Sequence, residues 1–133
     1  MINNKSGSLR SSFKLAAIAA AAVAVQGCTI HWDGLVNNET GNTIKMIGHD
    51  QSNANWTVSA NDKVTFAWKY NCLEVSDSGK SYYFDADPKA VPKAAVRGSV
   101  KFTVHTAYRD NQLYYVLEGG DVQPMKSLPS CEQ

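Results

Sequence analysis

The clearest pattern in this chain is an alternation of apolar and polar side chains over short segments. From Val64 to Tyr70, every second residue is large and apolar, and the residues between them are Thr, Ala and Lys. The same period of two runs from Val100 to His105. Successive side chains of a β-strand point to opposite faces of its sheet, so both segments are predicted to be strands with one buried face.

Weaker segments of the same kind bring the predicted total to seven or eight strands. They are Ile30 to Leu35, Thr43 to Ile47, Trp56 to Ser59, Leu73 to Val75, Ser81 to Phe84 and Leu113 to Glu118. Runs of Asn, Asp, Gly and Ser separate them, as is typical of turns. Asp87 to Arg97, with Pro88 and Pro92, is predicted to be a loop with no helix beyond about one turn. We therefore predict an all-β fold, a small antiparallel β-sandwich or barrel.

A different pattern occupies the first 27 residues. Lys5, Arg10 and Lys14 precede an unbroken apolar run of 11 residues, Leu15 to Val25. A positively charged segment followed by an apolar run of this length is typical of a signal peptide. A membrane-spanning helix needs roughly 20 apolar residues, so the run is too short for that role.

The apolar run ends in Val25-Gln26-Gly27-Cys28, which resembles the lipobox of bacterial lipoproteins. The resemblance covers only the targeting segment, and it implies cleavage before Cys28, diacylglycerol on the Cys28 thiol and acylation of the new amino terminus. The alternative is an ordinary secretory signal with an incidental cysteine. Two or three acyl chains would make the membrane attachment permanent. Thr29, in place of Asp after the lipidated cysteine, implies the outer membrane, with the protein facing the periplasm.

Cleavage there divides the 133-residue chain into a signal peptide, residues 1–27, and one lipid-anchored β-domain, residues 28–133. The signal peptide takes three of the 13 basic residues and none of the 12 acidic ones, which leaves 10 bases against 12 acids and a net charge of −2. The remaining basic residues are scattered singly between Lys45 and Lys126. We therefore expect no nucleic-acid partner and no charge-driven binding to lipid headgroups.

The three cysteines fit an exported protein. An odd number leaves one cysteine to explain, and lipidation of Cys28 would explain it. Cys72 and Cys131 then remain as a pair in an oxidising compartment, where a disulfide is the usual outcome. The chain has no Cys-x-x-Cys motif and no Cys/His cluster that would indicate a zinc or redox site instead.

Residue types that could support catalysis or metal binding occur without a recognisable arrangement. His31, Asp33, His49, Asp50 and His105 could supply metal ligands, but their spacing is not a known site signature, and separate solvated histidines are the favoured interpretation. The chain has no Gly-x-Ser-x-Gly motif and no glycine-rich phosphate loop. We expect no catalytic residues, no metal and no cofactor.

Adjacent aromatic residues are the remaining candidates for function. Tyr82-Tyr83-Phe84 and Tyr114-Tyr115 lie on predicted strands, so one member of each neighbouring pair must face outward. An outward tyrosine can anchor a protein interface, which makes Tyr83, Tyr114 and Tyr115 candidate partner-binding residues. The alternative is that Tyr83 and one of Tyr114 and Tyr115 only cover a sheet face.

The mature part is also similar in layout to the membrane-bound lysozyme inhibitors of bacterial envelopes. The similarity rests on Tyr70-Asn71-Cys72, on Tyr108 to Asn111 before an aromatic strand, and on the final cysteine, Cys131. It implies a small lipid-anchored β-barrel with a terminal disulfide. Those inhibitors place a serine and a lysine near their late strands, whereas Glu118 stands here where that lysine is expected, so no functional residue is carried over.

Three functions are compatible with an anchored β-domain, and we rank them from the most to the least favoured. The first is a non-catalytic protein-binding module of the inhibitor or immunity type. The second is a structural or assembly component of an envelope complex. The third is an enzyme, which would need a pocket with convergent polar groups.

Overall fold

The computed structural model describes residues 31–132, which form 11 β-strands. In chain order they are β1 (Trp32–Asn38), β2 (Ile44–His49), β3 (Ala54–Val58), β4 (Lys63–Ala67), β5 (Cys72–Asp77), β6 (Lys80–Asp85), β7 (Val96–Arg97), β8 (Phe102–Arg109), β9 (Gln112–Val116), β10 (Val122–Pro124) and β11 (Ser127–Leu128). The predicted signal peptide, residues 1–27, and the predicted lipidation site, Cys28, lie outside the described residues.

The strands form two sheets that pack as a β-sandwich. One sheet has six strands, in the order β10-β9-β8-β1-β4 with β7 also paired to β8, and the other has five, in the order β11-β6-β5-β2-β3. Every pairing is antiparallel except that of β1 with β8, which run parallel from Trp32 opposite Phe102 to Asn38 opposite Tyr108. Strands β1 and β8 therefore begin at the same end of the sandwich.

The prediction of an all-β sandwich is confirmed, and each strand of five or more residues overlaps one predicted segment. Two predicted segments are too long, because β4 ends at Ala67 and β8 begins only at Phe102, which leaves Val100 in a loop, where it is exposed. The additional strands β7, β10 and β11 have only two or three residues each, too few to show a period of two. The predicted loop after Asp87 contains two 3-10 helices of three residues, Pro88–Ala90 and Lys93–Ala95. The Asp87 carboxylate caps the first by accepting a 3.0 Å hydrogen bond from the Lys89 backbone N–H.

Inward-facing side chains of both sheets build a single core. On β4 the predicted apolar face is confirmed, since Val64 and Phe66 pack against the core while Thr65 between them is exposed. The largest apolar side chains that are fully buried are Val36, Ile44, Met46, Val58, Leu73, Val75, Phe84, Val104, Tyr108, Leu113 and Met125. They come from both sheets, so neither sheet could bury its apolar face alone.

Aromatic rings fill the space between the edge strands β3 and β4. Trp56 of β3 stacks on Phe66 of β4 with ring centroids 4.5 Å apart. Two glycines leave room for these rings. A Cβ at Gly34 would lie 2.6 Å from the Phe66 ring, and a Cβ at Gly48 would overlap the ring of Tyr70. The close approach of an aromatic ring, rather than a turn, explains glycine within strands β1 and β2.

Buried polar groups close the end of the sandwich at which β1 finishes. Asn38 is fully buried, and its amide donates hydrogen bonds to the backbone carbonyls of Asn42, Val58 and Ser59. Its side-chain oxygen accepts hydrogen bonds from the backbone N–H and the hydroxyl of Thr40. One amide therefore holds the β1–β2 and β3–β4 connections together with all of its polar atoms satisfied.

A second buried contact at this end joins the two sheets. The Tyr108 hydroxyl on β8 donates a 2.9 Å hydrogen bond to the carboxylate of Asp77 on β5. Asp77 is 7% exposed, and it also accepts hydrogen bonds from Ser78 and Asn42. Burial, with a further contribution from Asp77, raises the pKa of Tyr108 above its usual value.

The predicted pair Cys72 and Cys131 lies at disulfide distance, with Cα atoms 5.6 Å apart. Cys72 begins β5, and β6 lies between β5 and β11. The segment after β11 must therefore cross β6 to reach Cys72, which is left only 5% exposed.

Within residues 31–132, we find no helix of the length and hydropathy needed to cross a membrane.

Candidate partner-binding surface

The tyrosines that the sequence offers as partner contacts do not lie together. Tyr83 is on the outer face of the five-stranded sheet, because its strand neighbours Tyr82 and Phe84 pack into the core. Tyr114 is on the outer face of the six-stranded sheet, because its neighbour Tyr115 faces inward. The two outward tyrosines therefore belong to opposite faces of the sandwich and cannot contribute to one contact site.

Tyr115 is a core residue rather than a surface contact. It is 3% exposed, and its ring centroid lies 6.3 Å from that of Trp68. Burial, with smaller contributions from the carboxylates of Asp85 and Asp87, raises the pKa of Tyr115 to about 12. A partner-binding role for Tyr115 does not fit this position, and Tyr114 is the outward member of the pair.

Tyr83 belongs to a straight row of side chains across the five-stranded sheet. In the strand register, Ile47 on β2 lies opposite Glu74 on β5, Glu74 lies opposite Tyr83 on β6, and Tyr83 lies opposite Leu128 on β11. Neighbouring strands are about 4.8 Å apart, so the row extends roughly 14 Å. We call these four residues the Tyr83 row; each is partly exposed.

The carboxylate of Glu74 is fixed from both sides of the row. His49 Nε2 lies 2.8 Å from Oε1, and the Ser81 hydroxyl donates a 2.8 Å hydrogen bond to Oε2. Because a carboxylate only accepts hydrogen bonds, Nε2 of His49 is the protonated ring nitrogen in this contact. The side chains of His49 and Glu74 are 25% and 15% exposed, so the pair is reachable from solvent but is held in one arrangement.

Although serine, histidine and glutamate meet here, their order does not support nucleophilic catalysis. A serine nucleophile needs its hydroxyl on the imidazole, with the carboxylate on the far ring nitrogen. Here the carboxylate lies in the middle and accepts hydrogen bonds from both Ser81 and His49.

Across the described part of the chain, we find no group of three or more His, Cys, Asp and Glu side chains placed to hold a metal ion.

Two depressions lie beside the Tyr83 row, so this face of the sheet is not flat. A shallow groove beside β6 and β11 is lined by Ser81, Tyr82, Tyr83, Phe84, Asn111, Ser127, Leu128 and Pro129. A larger open cleft at the His49 side is lined by His49, Asp50, Gln51, Ser52, Asn53, Asn71 and Cys131. Tyr83 and Leu128 of the row thus line the groove, and the cleft includes His49, which contacts Glu74 of the row.

The face around Tyr114 is arranged differently. The Arg109 guanidinium lies 5.0 Å from the centroid of the Tyr114 ring, which is a cation–π distance. Arg109 also lies 3.5 Å from the carboxylate of Glu39. A nearby residue of the same face is His105, whose pKa is lowered by partial burial and by Arg97 and Lys63. The Tyr114 ring is therefore already occupied by a side chain of its own sheet.

The sequence predicts Tyr83 as a contact but not the polar residues around it. It offers His49 only as a metal ligand, and it does not single out Glu74 or Ser81. The available signal was weak: Glu74 is the single polar residue between the apolar Leu73 and Val75, which places it on the outer face of the strand. Its contacts depend on the register of β2 and β6, which the local sequence does not reveal.

Comparison of the chain with protein-family models, curated proteins and solved structures found no match. The similarity in layout to the lysozyme inhibitors stays a prediction.

Proposed function

We propose that this protein is a lipoprotein of the outer membrane, facing the periplasm, and that it acts as a non-catalytic protein-binding module of the inhibitor or immunity type. The observation that carries the binding role is the Tyr83 row, with its Glu74 carboxylate fixed by His49 and Ser81. A contact surface held in one arrangement loses little conformational entropy when a partner binds.

The Tyr83 row fits a protein interface better than the Tyr114 face does. Ile47 and Leu128 supply apolar area at its two ends, and Tyr83 combines an apolar ring with a polar hydroxyl. Aromatic anchors flanked by fixed polar groups are typical of the energetic centre of interfaces. At Tyr114, by contrast, a partner would first have to displace Arg109.

The anchor and the compartment in this proposal rest on the targeting segment. Val25-Gln26-Gly27-Cys28 supports lipidation, and Thr29 supports the outer membrane. Cys72 and Cys131, placed at disulfide distance, are consistent with an oxidising compartment.

The binding role can be tested by site-specific crosslinking in the native host. A photoreactive phenylalanine analogue is placed at Tyr83 in one strain and, as the matched control, at Tyr114 in another. After irradiation, adducts of the anchored protein are identified by mass spectrometry. We expect a specific protein adduct from position 83 and none from position 114, and a Tyr83→Ala variant should capture that partner roughly 30-fold less tightly, as for a hot-spot residue.

The identity of the crosslinked partner separates the remaining hypotheses. A soluble hydrolase or toxin supports the inhibitor or immunity role, whereas an integral envelope protein supports the assembly role. Equal and unspecific adducts at both positions would contradict a binding surface on the five-stranded sheet.

A further inference from the structure

The end of the sandwich at which β1 begins carries an exposed apolar residue that the fold does not use. Within residues 31–132, Val100 is the only large apolar side chain that is mostly exposed, with 89% of its area accessible. It lies in the loop between β7 and β8, just before Phe102. A mostly exposed valine contributes little to the core, so its side chain is available for a contact outside the domain.

The parallel pairing of β1 with β8 places this loop beside the beginning of the described chain. Trp32 is opposite Phe102 in the register, and their ring centroids are 6.1 Å apart. The Phe102 backbone N–H donates a 3.4 Å hydrogen bond to the carbonyl of His31. Residue 31 is only three steps from Cys28, and three residues span at most about 10 Å. A lipid on Cys28 would therefore hold this end close to the bilayer.

The chemistry of this end suits the interfacial region of a membrane. Trp32 and Phe102 are both partly exposed, and lysines lie on either side of them. Lys101 is 71% exposed and lies 2.9 Å from Asp33. Lys69 is exposed beside Trp68, whose backbone N–H donates a 2.9 Å hydrogen bond to the carbonyl of Trp32. Tryptophan and lysine are enriched where proteins meet the headgroup layer, because both combine an apolar body with a polar end.

We propose that this end of the sandwich, formed by Trp32, Lys69, Val100, Lys101 and Phe102, rests on the bilayer surface to which the protein is anchored, with Val100 entering the headgroup layer. The inference rests on the proposed lipid anchor. The patch is too small to bind a membrane alone, and the tether supplies the proximity that makes a weak contact persist.

This contact would orient the whole domain. The strands would stand away from the membrane, so the Tyr83 row would face sideways into the periplasm. The β1–β2, β3–β4, β5–β6 and β8–β9 connections would lie at the distal end, which six residue steps of β1 place roughly 20 Å from Trp32. Only the domain's near end would be shielded from a soluble partner.

The orientation can be measured with a fluorescent label on the lipidated full-length product. Val100→Cys introduces a thiol at the proposed contact, and Gly41→Cys introduces the matched control at the distal end, where a Cβ meets nothing within 4 Å. Each variant is labelled with an environment-sensitive nitrobenzoxadiazole dye and reconstituted in vesicles of phosphatidylethanolamine and phosphatidylglycerol. Nitroxide-labelled headgroups serve as the quencher.

The proposal expects a blue shift and a loss of emission for the label at position 100, and neither change at position 41. If the protein floats with the vesicles but neither label is quenched, the result would overturn the contact and leave the anchor intact. Protein that does not float with the vesicles would contradict both the anchor and the contact. Equal quenching at both positions would also overturn the proposed orientation.

Discussion

At the scale of single residues, Tyr108 shows how one polar atom can join two sheets. Its ring lies in the core and its hydroxyl reaches Asp77 on the opposite sheet, where Ser78 and Asn42 satisfy the rest of the carboxylate. A buried charge is stable only when it is hydrogen-bonded on all sides. Tyr108 therefore has two structural roles: its ring fills part of the core, and its hydroxyl supplies one of the hydrogen bonds to the Asp77 carboxylate.

We predict that Tyr108→Phe lowers the free energy of unfolding by about 1–3 kcal/mol, because Asp77 then loses one of its partners while it remains buried. Urea unfolding of the purified protein measures the change. The matched control is Tyr114→Phe, which removes a hydroxyl from a partly exposed ring and should change the free energy by less than about 0.5 kcal/mol. Equal losses of unfolding free energy in the two variants would contradict a stabilising contribution from the Tyr108–Asp77 hydrogen bond.

At the scale of elements, the C-terminal segment is held on the outer face of the five-stranded sheet by its cysteine. Strand β11 has only two residues, paired with Phe84 and Tyr83. Such a short edge strand provides few backbone hydrogen bonds of its own. The contact between Cys131 and Cys72 thus also holds Leu128 in the Tyr83 row, which couples the disulfide to the proposed binding surface.

We predict that the double variant Cys72→Ser, Cys131→Ser loses about 4 kcal/mol of unfolding free energy on the chain-entropy model, for a sequence separation of 59 residues. Thermal unfolding of the oxidised protein, the reduced protein and the variant provides the measurement. Reduction of the native protein is the control, since it should reproduce most of the loss. A variant as stable as the oxidised protein would contradict a structural role for the bridge.

At the scale of the whole molecule, the proposed binding surface and the first described residue lie on different parts of the sandwich. The Tyr83 row lies on one flank of the sandwich, and His31, which follows the targeting segment, lies at one end. Binding on the flank would leave the anchored end undisturbed.

We predict that Cys28→Ala abolishes labelling with radioactive palmitate and leaves an unprocessed or soluble product, because the thiol that takes the lipid is gone. Membrane fractionation of the native host measures the location. Thr29→Asp is the matched control: it should keep the lipid but shift the protein to the inner membrane. Palmitate labelling that survives in Cys28→Ala would exclude the lipoprotein assignment.

Much of the fold could be predicted because its signals are local. The alternation of apolar and polar residues from Val64 to Tyr70 depends only on the two-residue repeat of a strand, and burial confirms the same face. The pairing of Cys72 with Cys131 follows from the cysteine count once the lipobox resemblance assigns Cys28 to lipidation. The short strands β7, β10 and β11 could not be predicted, because two or three residues do not show a period.

The candidate surface was only partly predictable for a related reason. Period two requires that one of Tyr114 and Tyr115 face outward, but which one does so depends on the strands that pack beneath them. The sequence by itself determined the eight strands of five or more residues, the cysteine pair and the expectation of an anchor at Cys28. Only the tertiary structure decided that Glu74 meets His49 and Ser81 and that Phe102 lies beside His31, because those contacts depend on the register between strands far apart in the chain.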